Sequence, residues 1–447
     1  MRVLLFHGYM LRGTGSNIYS ANLAAALARL GHEVHLVCQE RRVRIEGVEI
    51  HNPDIHGLLP VYLKDPYEGF EVKAFPELTD AELDRYLDDN VRAVREVIGG
   101  SGPPDAALAG HLVMGPCILA RAAIGEFAAK IHGSALEYTV KPNPRFVPYA
   151  EAGMGAAAAV LTGSHHTAVS LWEALPDVSG LREKTRLGPP GVDTERFRPR
   201  AGGRRAPLVA FVGKLIVAKG IDLLLAAWPL VLARHPGARL RVAGFGAYEG
   251  GVARLLAALD RGDLDDAREI ARLGRALEDG PERPLPILSA FLASPPPGYL
   301  DGARGMAASV ELVGRLEHDE VAEMLPDAEA LVMPSTFPEA FGMVAAEAAA
   351  CGALPVSAAH SGMLEVSRRL AAALPSEAAD LTSFPVEEGV VEGIAERLNR
   401  WLALPEQRRE AARDALVSTA HRLWSWEGVA RGVLAASRGE LDRLPDA

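Results

Sequence analysis

The sequence predicts an α/β protein made of two successive parallel sheets with a cleft between them. Three observations carry this expectation. Short apolar runs alternate with stretches of helical period, as in strand–helix–strand units. The alternation breaks in a Pro-, Gly- and Arg-containing segment at residues 187–207 and then restarts. The chain has 447 residues, too many for one ordinary core.

The elements follow in order. Val3-Leu4-Leu5-Phe6 reads as a buried strand, and residues 17–30 carry apolar positions at helical spacing, stopping at Gly31. Glu33-Val34-His35-Leu36-Val37-Cys38 is the next strand, which completes a βαβ unit, parallel and right-handed. Residues 105–108, 129–132 and 159–162 continue that sheet. After the break, 208–212 is a strand, 213–220 a loop and 221–235 a helix, followed by strands at 239–243, 310–313, 330–333 and 354–356. The stretch between Gly244 and Val310 is far longer than a crossover needs. Within it 252–277 reads as one or two amphipathic helices and 281–297 as Pro-rich and irregular, so about 247–306 is taken as an insertion. The tail from Val390 is helical, and Trp424 and Trp426 in its last part read as packing residues. The expected division is 1–195 and 205–421, with a helix at about 422–447 packing back on the first domain.

Composition narrows the function classes. Hydrophobic residues make up 49% and charged residues 23%, which suits a globular chain. A net charge of −11 repels a polyanion, so no nucleic-acid partner is expected. Cys38, Cys117 and Cys351 are few, far apart and without metal-ligand spacing, as in a reduced, cytoplasmic protein. The first apolar run is too short for a signal-peptide core, and the Ala-rich stretches are interrupted before spanning length, so no transmembrane helix is expected.

Parallel sheets of this kind bind ligands beyond the carboxyl ends of their strands. The strongest constellation there is Pro334-Ser335-Thr336-Phe337-Pro338-Glu339-Ala340-Phe341-Gly342-Met343-Val344-Ala345-Ala346-Glu347, with a helix beginning near Phe341 or Gly342. A helix N-terminus offers unpaired N–H groups to an anion, and a glycine lets a ligand approach the backbone. Glu339 stands just before the helix and Glu347 one to two turns inside it. From periodicity alone, an N-terminal acid plus a solvated helix acid is an equally good reading.

This stretch resembles the E-x7-E signature of family 4 glycosyltransferases, and the resemblance continues into Cys351-Gly352-Ala353-Leu354-Pro355-Val356 and Ser361-Gly362. Upstream, Phe211-Val212-Gly213-Lys214-Leu215 with Ala218-Lys219-Gly220 resembles that family's diphosphate loop, with Lys214 where Arg is common. Pro190-Gly191-Val192-Asp193 resembles its inter-domain turn. The resemblance spans nearly the whole chain apart from the insertion and the middle of the first domain. It implies the GT-B fold of two facing Rossmann-like domains and retaining transfer from a nucleotide sugar.

The resemblance also implies roles. Lys214 and Lys219 neutralise the donor diphosphate and so do a metal's work; Glu339 contacts the sugar, and Glu347 binds the ribose hydroxyls. Backbone groups of Gly213, Phe341, Gly342 and Met343 face phosphate or sugar oxygens, while Val313-Gly314-Arg315-Leu316 meets the base. In the first domain Gly13 and Gly15, between the first strand and helix, permit close approach to phosphate, although a tight turn explains them equally. His132, followed by Gly133-Ser134, is implied to approach the donor sugar. Ser134, Lys141, Arg145 and Ser164 are candidates for the acceptor, the two cations favouring an anionic one, with a solvated loop as the competing reading. No metal or other cofactor is expected; Asp263-Leu264-Asp265 matches a D-x-D motif but falls in the helical insertion. Gly244-Phe245-Gly246 lacks dinucleotide-fingerprint spacing.

The expected partners are a nucleotide diphosphate sugar (a UDP- or GDP-sugar) and an acceptor that is a sugar, sugar phosphate or other small molecule rather than a lipid. Two rival readings are a nucleotide-sugar epimerase on the same fold and a catalytically idle sugar-nucleotide-binding protein.

Overall fold

A computed structural model describes residues 1–62, 67–200 and 207–447; the end of the expected linker, 201–206, lies outside the described residues. The chain separates into two compact units, one formed by Met1–Gly191 with Trp424–Ala447 and the other by Val192–Leu423.

The first unit holds β1 (Arg2–Phe6), β2 (Glu33–Val37), β3 (Val48–His51), β4 (Leu58–Val61), β5 (Glu71–Ala74), β6 (Ala106–Gly110), β7 (Ala128–Ile131), β8 (Ala159–Thr162) and β9 (Thr185–Leu187). Seven of these form a parallel sheet in the order β3-β2-β1-β6-β7-β8-β9, and β4 and β5 pair separately. The central strands are buried on both faces because both are covered, as parallel crossovers require; apart from Arg2 at the sheet end, Lys130 of β7 and Thr162 of β8, their residues are apolar or glycine. On one face the helix Gly15–Arg29 buries Tyr19, Leu23 and Leu27, four residues apart and so on one stripe. Complete burial of each leucine contributes roughly 1.5–3 kcal/mol. The helix Trp426–Ser437 joins this core through Trp426, Ala430 and Val433, with Ser425 capping its start. Trp426 meets Tyr19 edge-on at 5.5 Å between ring centres. Its indole also explains Gly191, where a Cβ would come within 2.6 Å of the ring.

The second unit holds β10 (Leu208–Val212), β11 (Arg239–Ala243), β12 (Val310–Gly314), β13 (Ala330–Met333), β14 (Leu354–Ala358) and β15 (Ser383–Phe384) in the order β12-β11-β10-β13-β14-β15. All pairings are parallel. The insertion between β11 and β12 is helical, with Glu249–Arg261 and Leu264–Leu273. The segment expected to be irregular contains a further helix, Pro286–Ala293. Pro286 occupies its first turn, where a proline's missing N–H costs nothing. Asp263, the first acid of the D-x-D match, accepts from the Asp266 N–H and caps a helix. No helix among the described residues is long and apolar enough to cross a membrane. All three cysteines are buried and unbridged.

Candidate functional site

In the second unit, β13 ends at Met333 and the chain runs through residues 334–342 into the helix Met343–Ala350. Gly342 caps that helix at φ 90°, a left-handed conformation that a side chain disfavours. The loop is fixed from three sides. Thr336 N–H donates to Ala218 O at 2.9 Å, Gly362 N–H to Glu339 O at 2.9 Å, and Glu339 N–H to Ser361 Oγ at 3.0 Å. His360 contacts both Ser361 Oγ (3.1 Å) and Ser335 O (2.8 Å), so it ties the start of the next helix to the same loop.

The Glu339 carboxylate is thereby held where it meets Lys219 Nζ in an ion pair and accepts from Ser335 Oγ at 2.9 Å. Lys219 and Glu339 lie 120 positions apart in the chain, and the structure brings them together. Gly220 makes the approach feasible: it sits at φ 67°, and a Cβ there would lie 2.9 Å from Pro334 C and closer still to its oxygen.

Lys214 and Gly213 occupy the same loop after β10, half-buried. That loop is braced by Gly213 N–H to Ala243 O (3.0 Å), Leu215 N–H to Phe245 O (2.8 Å) and Tyr248 N–H to Leu215 O (2.9 Å). Gly244 and Gly246 press directly on Gly213 and Leu215, so the glycines that lack fingerprint spacing serve backbone packing of the lysine loop. The insertion contributes too, since Glu278 accepts from Val217 N–H at 2.8 Å.

Glu347 lies one turn and more into its helix, buried, with Oε1 2.9 Å from His318 Nε2. Burial alone pushes the His318 pKa down, but the Glu347 hydrogen bond and charge outweigh it and the net shift is upward. Phe197 packs on the His318 ring at 4.9 Å. The Val313–Leu316 segment turns at Gly314 (φ 72°), and the Arg315 guanidinium stacks over Phe245 at 4.9 Å while pairing with Glu317.

In the first unit, three adjacent strands each end on a histidine: β1 on His7, β6 on His111 and β7 on His132. Their rings form a chain, His7 to His111 at 5.5 Å and His111 to His132 at 4.9 Å, flanked by Tyr9 and Tyr19 at 5.0 Å from His111 and His132 respectively. Burial lowers the pKa of all three, that of His7 to about 4, which keeps the imidazoles neutral. Among the described residues, His132 Nε2 is buried without a hydrogen-bond partner, as are both ring nitrogens of His111. Next to them Lys130 is fully buried, donates to Gly188 O at 2.5 Å and has its pKa brought down to about 7 by desolvation. Gly13 (φ 91°) and Gly15 flank Thr14 at the start of the first helix.

The acceptor candidates divide. Ser134 follows His132 on a half-buried turn. Ser164 is buried and accepts from Thr167 N–H as the cap of helix His165–Ala174. Lys141 is paired with Glu137 at 2.8 Å and bonded to Ser170, and Arg145 with Asp80 and Leu78 O at 2.6 Å each. Both cations are engaged by partners within the first unit. Sequence reasoning missed His7, His111, Lys130, His318, Ser335 and His360. The first two share a legible signal with His132, because each follows a parallel strand.

These features define a protein of two parallel α/β units with polar clusters at the carboxyl ends of their strands. Residues 299–416 match the family described as "Glycosyl transferases group 1" and residues 13–196 the "Glycosyltransferase Family 4". The two matches together span about two thirds of the chain, and the chain belongs to the family 4 glycosyltransferases. A D-inositol 3-phosphate glycosyltransferase of Segniliparus rotundus is 30% identical over 58% of this chain and 48% of its own length. The chain thus spans about half the length of that relative, whereas one of the same description from Actinosynnema mirum, 26% identical, is matched over 94% of this chain and 91% of its own. A sucrose-phosphate synthase structure from Thermosynechococcus elongatus superposes with a TM-score of 0.61 at 20% identity, covering 99% of this chain and 98% of that one. That likeness establishes the fold, GT-B with two Rossmann-like domains.

Proposed function

We propose that the protein is a retaining glycosyltransferase that moves a sugar from a nucleoside diphosphate to an acceptor hydroxyl without a metal. The observation that carries this reading is the Lys219–Glu339–Ser335 cluster ahead of the helix that bears Glu347. Lys214 and Lys219 neutralise the diphosphate as the bond from the anomeric carbon to phosphate oxygen breaks. The acceptor oxygen attacks the same face, and its proton passes to the departing phosphate. Glu339 holds the sugar hydroxyls and is not a nucleophile; the double-displacement alternative requires a carboxylate on the opposite face of the ring. Lys219 and Ser335 fix the Glu339 rotamer, so that its orientation is set before the donor arrives.

Glu347 takes the ribose hydroxyl pair, oriented by His318. Main-chain groups of Val313, Gly314, Arg315 and Leu316 meet the base, with Arg315 steadied on Phe245. Phe341, Gly342 and Met343 offer backbone N–H groups at the helix mouth. In the first unit Gly13 and Gly15 serve the donor phosphate, Ser134 is a candidate for the acceptor, and His132 acts as a neutral imidazole toward the sugar. A small polyol or sugar phosphate is the acceptor class we favour, by analogy with the relatives called D-inositol 3-phosphate glycosyltransferases and the structural neighbour called sucrose-phosphate synthase.

The test is incubation with a panel of UDP- and GDP-sugars and small acceptors, followed by NMR of the sugar and release of nucleotide. Nucleoside diphosphate with an axial-for-axial (retained) glycoside supports the proposal. An epimerised nucleotide sugar without released diphosphate overturns it in favour of an epimerase, and binding without any turnover across the panel favours an idle binding protein.

A further inference from the structure

At the outer edge of the first sheet, strand period brings four side chains to one face. Glu33 and His35 alternate on β2, and Glu49 and His51 on β3, with His35 in register with Glu49. His35 Nδ1 lies 3.0 Å from His51 Nε2 and 3.4 Å from a Glu49 carboxylate oxygen, and His51 Nε2 lies 3.8 Å from the other Glu49 oxygen. Ligand atoms bound at about 2.0–2.2 Å to a tetrahedral ion stand roughly 3.3 Å apart, the middle of this range.

The outer contacts point the same way. His35 Nε2 lies 3.1 Å from Glu33 Oε1, and Arg2 holds Glu33 in turn at 3.1 and 3.3 Å. With Nε2 engaged by Glu33, His35 presents Nδ1 toward His51 Nε2 and the Glu49 carboxylate, so three ligand atoms converge on one point. A carboxylate gripping the distal nitrogen of a ligating histidine is also the arrangement that orients such ligands. The three residues open on a cavity of about 840 Å³ whose wall includes Asp54, Asp89 and Glu96. Asp89 is buried there, with Oδ1 paired to Arg92 and Oδ2 3.5 Å from His56 Nε2.

We infer that His35, Glu49 and His51 form a site for a divalent first-row transition ion, with Glu33 as the orienting carboxylate of His35. Two imidazoles and one carboxylate suit Zn²⁺ and its neighbours better than Mg²⁺ or Ca²⁺, which favour all-oxygen shells. Three protein ligands leave one position of a tetrahedral ion for water or a ligand atom from the cavity. The site shares no residue with those assigned to sugar transfer and stands or falls without them.

The experiment uses the full chain stripped with a chelator, titrated with Zn²⁺ by calorimetry and with Co²⁺ by visible absorption at pH 7.5. One equivalent of Zn²⁺ with a raised Tm, and a tetrahedral Co²⁺ spectrum, are expected. H51Q and E49Q should each weaken Zn²⁺ binding at least 10-fold, and E33Q by about 10–100-fold, without changing the metal-free Tm by more than a degree or two. Undiminished binding in H51Q and E49Q overturns the inference, because the ion then sits elsewhere. So does the lack of stoichiometric Zn²⁺ binding to the parent chain.

Discussion

Gly362 offers a clean perturbation of the loop that carries Glu339. Its N–H donates to Glu339 O at 2.9 Å, and a Cβ at that position would lie 2.6 Å from Ala340 C, 2.7 Å from Phe341 N and nearer still to Ala340 O. Its φ is not in the left-handed region, so alanine meets a steric obstacle and no backbone penalty. Backbone atoms on a loop fixed from three sides cannot yield as a flexible side chain would. Overpacking of this kind costs about 1–3 kcal/mol. Relief requires residues 339–341 to shift, and a misplacement on the order of 1 Å near the chemistry lowers turnover roughly 100-fold. G362A should therefore lose about 1–3 kcal/mol in urea denaturation and most of its kcat. At Gly237 an added Cβ would meet no atom within 4 Å, so G237A should stay within about 0.5 kcal/mol of the parent and keep full activity. A G362A protein with unchanged denaturation midpoint and unchanged kcat would refute the claim that this contact sets the Glu339 loop.

Two further predictions concern pH. Asp222 is buried at the start of its helix, and desolvation raises its pKa from 3.8 to about 7. The unfolded chain then releases its proton first, so stability falls as pH rises from about 4 to 7, by up to about 4 kcal/mol. D222N should remove that slope and be the more stable protein at pH 8, read from denaturation midpoints between pH 5 and 8. His318 has its native pKa raised above the unfolded value, against burial, by Glu347. Its contribution is fully present below the unfolded value of 6.5 and is lost as pH rises through the higher native one. H318Q should be about 1–2 kcal/mol less stable than the parent at pH 6, with the gap narrowing at pH 9; a pH-independent gap would show that the pair does not titrate.

Much of the architecture is legible because central parallel strands are continuous apolar runs bounded by glycine or charge. β8, β10, β11 and β13 coincide with the segments read from the sequence, and the other central strands differ from theirs at the ends by one or two residues. Most of the missed strands lack that signal; β4, an apolar Leu-Leu-Pro-Val run that pairs only with the equally missed β5, is the exception. β3 is an edge strand whose Val48-Glu49-Ile50-His51 alternates, while β9 and β15 have three and two residues and acquire their conformation from the neighbour. Pro286 has the residue type of a breaker, yet it starts a helix, at the one helical position that tolerates it. The site shows the same division. Glu339, Glu347 and Lys219 stand out through motifs that resemble those of a known family, since spacing alone leaves a solvated acid an equal reading, but their distant partners do not. His318 reaches Glu347 only through tertiary folding, across 29 positions, and His360 reaches Ser335 O across 25, whereas Ser335 stands four residues before Glu339 in the same loop. Lys141, Arg145 and Ser164 are read from residue type and loop position, which do not announce the pairing and capping contacts they also make.

The central claim is that Glu347 serves the nucleotide and Glu339 the sugar. Calorimetric titration of the parent, E347A and E339Q with a nucleotide sugar and with its nucleoside diphosphate, alongside kcat, tests it most directly. E347A should weaken both ligands by roughly 10-fold or more, about 1.4 kcal/mol. E339Q should bind the nucleoside diphosphate like the parent and lose its activity chiefly in kcat. Equal nucleoside diphosphate affinity in all three proteins, with parental turnover in E339Q, would contradict the account.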